Sequence, residues 1–155
     1  MKRFFIPLCL ALSLYSCMDK TQTNNKIFNS LSQQKTGVTF SNNLIENDSL
    51  NYFTYAYLYM GGGVSAGDIN NDGLIDLFFT GNMVSNRLFL NKGGLKFEDI
   101  SEKAGVLGDN RWYTGVTMAD VNNDGYLDIY CSVGGKFTPK QNQLYINNGD
   151  ETFTE

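Results

Sequence analysis

Hydrophobic and polar positions divide the chain into stretches of different character. Lys2 and Arg3 precede an apolar run from Phe4 to Leu14, which is too short to span a bilayer and has the layout of an export signal. From Met18 to Lys35 the chain is polar and rich in Asn, Gln, Ser and Thr, apart from Ile27, Phe28 and Leu31; such a composition predicts a tether. Thr36 to Phe40 then reads as a short strand. In Tyr52 to Tyr59, Phe53, Tyr55, Tyr57 and Tyr59 would point one way and Thr54, Ala56 and Leu58 the other, which predicts a strand covered on both faces.

Beyond Gly61, short β-prone runs alternate with turns rich in Asn, Asp and Gly, and the pattern occurs twice. Gly63-Val64-Ser65-Ala66-Gly67-Asp68 aligns with Gly115-Val116-Thr117-Met118-Ala119-Asp120, and Asn86 to Asn91 aligns with Asn142 to Asn147. Lys96-Phe97-Glu98-Asp99 answers Thr152-Phe153-Thr154-Glu155. Each unit predicts about four short strands, the scale of a β-propeller blade. The second copy is longer between its Asp128 and Asn142 than the first between Asp76 and Asn86, which predicts an extra turn around Pro139. The resulting organisation is 1–16 signal peptide, 17–35 polar tether, 36–60 lead-in strands, 61–111 first repeat and 112–155 second repeat.

Between the first two strands of each unit lies D-x-N-x-D-G-x-x-D. Asp68, Asn70, Asp72 and Asp76, with the carbonyl of Leu74, supply oxygens at positions 1, 3, 5, 9 and 7; Asp120, Asn122, Asp124 and Asp128, with the carbonyl of Tyr126, repeat them 52 residues later. Oxygen-only donors suit a hard cation, and one loop supplying the whole cage favours calcium over magnesium. Two Asx-turns would use the same residues only to hold backbone; the matched copies favour two structural calcium sites. Position 12 is Phe79 in one copy and Cys131 in the other, so neither is an EF-hand, which needs Glu there.

Composition sharpens this picture. The chain has no His and only three Cys, which removes the common zinc donors. The leader ends Leu14-Tyr15-Ser16-Cys17 and resembles the bacterial lipoprotein signal, which implies lipidation at Cys17 and attachment to a membrane. Cleavage there leaves Cys131 as the one thiol of the globular part, filling core volume without a disulfide. The net charge of −4 and the lack of a clustered basic face argue against nucleic acid. Outside the loops, acids such as Glu46, Asp99, Glu102 and Asp109 form no catalytic pattern, with Asp99 and Glu102 serving a turn and a short helix from Ser101 to Ala104.

The phrases GGGVSAGDINNDGLIDLFFTGN, NRLFLNKG, FEDISEKAGV, GVTMADVNNDGYLDIY and NQLYINNGDETF resemble the FG-GAP and VCBS-like repeats of integrin-α-type β-propellers. The resemblance is nearest to large exported lipoproteins of Bacteroidetes-type bacteria, which often add a domain called ASPIC and UnbV. It implies an all-β, partial β-propeller of about two four-stranded blades after a signal peptide and tether, with calcium in both loops. It also implies a place at the outer membrane or cell surface. Two blades do not close a ring of four to eight, so the expectation is the amino-terminal part of a longer propeller, or a truncated product. The function expected is a non-catalytic binding or adhesion module for an extracellular protein or glycan, with Arg111, Trp112 and Tyr113 as candidate ligand contacts. A fragment of a glycan-acting propeller enzyme and a nonfunctional truncated product are the alternatives.

Overall fold

The computed structural model describes residues 27–109, 111–137 and 139–155. The expected signal peptide, Cys17 and the tether as far as residue 26 lie outside the described residues. β1 (Val64–Gly67), β2 (Asp76–Phe79), β3 (Arg87–Asn91) and β4 (Phe97–Asp99) form one antiparallel meander; β5 (Tyr113–Ala119), β6 (Asp128–Val133), β7 (Gln143–Asn147) and β8 (Phe153–Thr154) form a second. The described residues are thus all-β, two four-stranded sheets of a partial propeller, and their α-helical turns are short: α1 (Gln33–Thr36) and α2 (Ser101–Ala104).

Registers in the two sheets match the repeat. Ser65, Phe78 and Leu88 lie side by side across the first sheet, and Thr117, Tyr130 and Leu144 do so across the second. On the opposite faces Ala66, Leu77 and Phe89 correspond to Met118, Ile129 and Tyr145. The core joins unlike faces: Phe78, Leu88 and Leu90 of the first sheet cluster with Tyr113, Ile129, Cys131, Tyr145 and Phe153 of the second. Each large apolar side chain so buried contributes roughly 1.5–3 kcal/mol. Close approach of the sheets at their inner strands depends on Gly63, where a Cβ would lie 2.6 Å from the Val116 nitrogen. Burial pushes the Cys131 thiol up to about 12, so it stays protonated and inert, as a core filler should.

The lead-in contains no strands. Residues 37–57 are irregular and end in a 3-10 turn, Leu58–Met60. The expectation failed because local side-chain bonds outcompeted the alternating pattern. Asn47 Oδ1 accepts from the Ser49 and Leu50 amides at 3.0 and 2.9 Å, and Asn51 Oδ1 accepts from those of Phe53 and Thr54 at 3.0 and 3.2 Å. Asx-turns of this kind break a strand. Phe53 is left 97% exposed, whereas Leu58 is buried. Farther upstream Phe40 stacks on Phe79 at 5.1 Å, and Phe79 meets Phe89 edge-on, so the lead-in covers the outer face of the first sheet.

Candidate metal centre

Both D-x-N-x-D-G-x-x-D segments form the connection from a first to a second strand, and they fold alike. Asp68 Oδ1 and Asn70 Oδ1 accept from the Asp72 amide at 3.1 and 3.2 Å, Asp68 Oδ2 accepts from the Gly73 amide at 2.8 Å, and Asp72 Oδ1 accepts from the Leu74 amide at 2.8 Å. In the second loop Asp120, Asn122 and Asp124 repeat these bonds at 2.9–3.1 Å, with Tyr126 in place of Leu74. Asn71 and Asn123 take left-handed backbone angles, φ 60° and 61°, and Gly73 and Gly125 follow at 83° and 91°. Asn tolerates that region better than most residues and Gly does so freely, which explains the Asn-Asp-Gly order.

The aspartates at position 9 do something different. Asp76 is fully buried; its Oδ2 accepts from the Ile69 amide at 3.0 Å and its Oδ1 from the Asn91 amide at 2.7 Å. Asp128 repeats this with Val121 and Asn147 at 2.9 and 2.8 Å. Each thus ties the base of its loop to the third strand. Burial raises the Asp76 carboxyl above its ordinary range, opposed by those two amides and reinforced by the charges of Asp72 and Asp68.

Asn91 and Asn147, which the motif does not include, complete the ties. Asn91 Nδ2 donates to the Ile75 carbonyl at 2.9 Å; Asn147 Nδ2 donates to Leu127 at 3.1 Å and across the sheets to Ile69 at 2.8 Å. The loops also touch directly, since Asn71 Nδ2 donates to the Gly125 carbonyl at 3.0 Å. Repetition of L-F-L-N and L-Y-I-N at the same place in each unit was the available signal for the two Asn, but not for which atoms they hold.

As a donor set, the loop lips fit a hard cation: they offer carboxylate, amide and carbonyl oxygen and nothing softer. Among the described residues the ion pairs join Arg87 to Asp99, Lys92 to Glu98, Lys103 to Glu151, and Arg111 to Asp109 and Glu155. None neutralises a loop aspartate. Among the same residues no three Asp, Glu, Cys or His side chains gather closely enough to hold an ion by themselves. The set that converges is Asp68, Asn70 and Asp72 about the loop amides, and its counterpart Asp120, Asn122 and Asp124.

The sequence-predicted trio Arg111, Trp112 and Tyr113 is not an exposed contact surface. Tyr113 is fully buried in the core and its hydroxyl donates to Gln143 Oε1 at 2.5 Å. Arg111 is held by Asp109 at 3.1 Å and Glu155 at 3.4 Å. Trp112 is 4% exposed, stacked on Phe137 at 4.7 Å and met edge-on by Tyr55 at 5.7 Å. Tyr113 opens β5 and enters the core between the sheets, whereas Trp112, just before the strand, is covered by Phe137 and Tyr55.

Residues 68–131 match the family model of the FG-GAP-like repeat. The matched span begins at the first aspartate of the first loop and ends in β6, so it contains both loops. Cartilage acidic protein 1 of Xenopus tropicalis and that of Homo sapiens are each 40% identical over 72 residues, 46% of this chain. The Mus musculus protein is 39% identical over 69 residues. The match spans 11% of the length of each of these relatives. No helix among the described residues is long and apolar enough to cross a membrane.

Proposed function

We propose that the chain is a calcium-stabilised, non-catalytic binding module of propeller type, exported and held at a bacterial envelope by lipid on Cys17. The observation that carries this reading is the duplicated loop: two oxygen-only donor sets of one geometry, their carboxylates lacking any Lys or Arg partner among the described residues. Asp68, Asn70, Asp72 and Asp76 with the Leu74 carbonyl, and Asp120, Asn122, Asp124 and Asp128 with the Tyr126 carbonyl, hold one ion each. Asp76 and Asp128 hold the loop bases from below. Bound calcium supplies the positive charge that these surroundings lack.

The ions are structural in this reading. A loop with little apolar content gains a fixed shape, and β1 is kept against β2 and β5 against β6. Weak sites of this kind fill at extracellular calcium concentrations, which agrees with export. Three of the acids outside the loops have structural partners: Asp99 accepts from Ser101 and pairs with Arg87, Asp109 holds Arg111, and Glu46 accepts from Tyr59. Further blades of a longer chain would extend the disc, with an extracellular protein or glycan as partner.

Thermal unfolding of the chain with calcium and with a chelator tests the reading. Ligand at a hundredfold over its dissociation constant stabilises the native state by about 2.7 kcal/mol, so the melting temperature should rise by several degrees in calcium and stay unchanged in magnesium. A transition that does not move with calcium up to about 10 mM, the weak end of such sites, would overturn it.

A further inference from the structure

The two repeats differ most at two places, and the structure brings both to one cleft. The first is the approach to each opening strand. Helix α1 is followed by Gly37 at φ 80° and α2 by Gly105 at φ 74°, each glycine facing the carbonyl of the corresponding Phe97 or Phe153 in β4 or β8. From these equivalent points, 26 residues lead to Gly63 but only 10 to Gly115. The second is the connection after the second strand, where the later repeat is longer between Asp128 and Asn142. Because the strands are antiparallel, that connection and the β2–β3 turn lie at the end of the sheets opposite the metal loops.

There, a cavity of about 620 Å³ opens between the β2–β3 turn, the approach to β5 and both extra segments. Leu50 comes from the first extra segment and Lys136 and Phe137 from the second, so the excess residues of both repeats line the same space. Phe137 makes one wall, backed by the nearly buried Trp112 stacked behind it at 26° between their planes, and Tyr55 braces both rings edge-on at 5.7 and 5.4 Å. Met83 and Val84 form apolar surface on the turn.

Polar groups are mixed and balanced. Asp109 supplies an acceptor and Lys136 a donor, with the Asn82 amide and the Ser85 hydroxyl between them in character. Asn82 is held rigidly, donating to the Tyr113 carbonyl at 2.7 Å and taking the Asn42 amide at 2.6 Å on its Oδ1. Lys136 Nζ donates to the Thr54 carbonyl at 3.1 Å, which binds the two extra segments together. Asp109 is paired with Arg111 at 3.1 Å and Lys136 is held by the Thr54 carbonyl, so neither charge stands free to select an anion or a cation. Aromatic and apolar walls with scattered donors and acceptors suit a ligand that has apolar faces and hydroxyl edges.

We infer that this cleft is a binding site for a neutral oligosaccharide, built by the two segments in which the repeats depart from each other. The inference rests on the binding-module reading and gives it a site and a ligand class; it does not depend on the metal. Trp112 is the single Trp of the chain, so its fluorescence reports the cleft directly. The full chain is titrated with cellohexaose, xylohexaose, maltohexaose and, as the charged comparison, hexagalacturonate, in calcium throughout.

The expected result is a saturable change in Trp112 emission with at least one neutral sugar. Phe137→Ala should weaken it at least tenfold, and so should Ser85→Tyr, which fills the cleft from an exposed turn without removing core packing. No saturable change with any neutral hexasaccharide overturns the inference, as does binding that both variants retain or a preference for hexagalacturonate. A melting temperature insensitive to calcium alongside sugar binding lost in the variants would sink the metal reading and leave the cleft standing. Calcium-dependent stability without sugar binding would do the reverse.

Discussion

One residue type in this chain does two jobs according to depth. Asp68 and Asp72 stand at the lip of their loop, whereas Asp76, in the same motif, is fully buried between two amides. Hydrogen bonds to a buried charge contribute about 1.5–3 kcal/mol each, and removing the carboxylate also strands its donors. Asp128→Ala should therefore cost about 3 kcal/mol or more in urea unfolding even with chelator present. Asp120→Ala, which gives up two amide bonds at the exposed lip, should cost about 0.5–2 kcal/mol in chelator, as loss of a cap does, yet abolish stabilisation by calcium. Equal losses for the two variants in chelator would refute the additional structural duty of the buried position.

At the scale of elements, the two helical turns show how far the repeat extends. Gly37 and Gly105 end them in the left-handed region, and a Cβ on Gly37 would collide with the Phe97 carbonyl oxygen while one on Gly105 would lie 3.5 Å from that of Phe153. Gly37→Ala should cost about 1–3 kcal/mol from backbone strain, and more than Gly105→Ala, where contact is ordinary; chemical unfolding of the two variants compares them. A neutral Gly37→Ala would mean that the lead-in does not pack on the first sheet.

The strands themselves were legible because their alternation is repeated and punctuated by Asn-Asp-Gly, whose φ requirements leave few conformations. The lead-in was not. Tyr52 to Tyr59 has the period of a strand, but Asn47 and Asn51 close local turns there, and no periodicity rule weighs that competition. The metal motif was legible as a donor set, whereas the separate duty of Asp76 and Asp128 depends on the third strand, which sequence spacing does not bring near. Trp112 was singled out as a candidate ligand contact because nothing local shows that Phe137 and Tyr55 enclose it.

For the molecule as a whole, the register equivalence exposes an imbalance between its two ends. Phe78 and Leu88 are fully buried against the second sheet, but their counterparts Tyr130 and Leu144 are 38% and 36% exposed. The first sheet's opposite face is closed by Phe40 stacked on Phe79; the second sheet has no such cover among the described residues. An apolar sheet face that its twin buries is a site for association. In the longer propeller proposed above a next blade would cover this face; for these residues by themselves the face open to it is the same face of a second copy, since the complementary surface of the first sheet is already covered. Sedimentation velocity should show concentration-dependent dimers, and Tyr130→Lys with Leu144→Lys should return them to monomer while leaving the melting temperature nearly unchanged, because neither side chain contributes to the buried cluster. A wild-type chain that stays monomeric to about 100 μM, where even a weak interface of about 5–6 kcal/mol would associate, would show that the exposed face is too small or too polar to be held by its own kind.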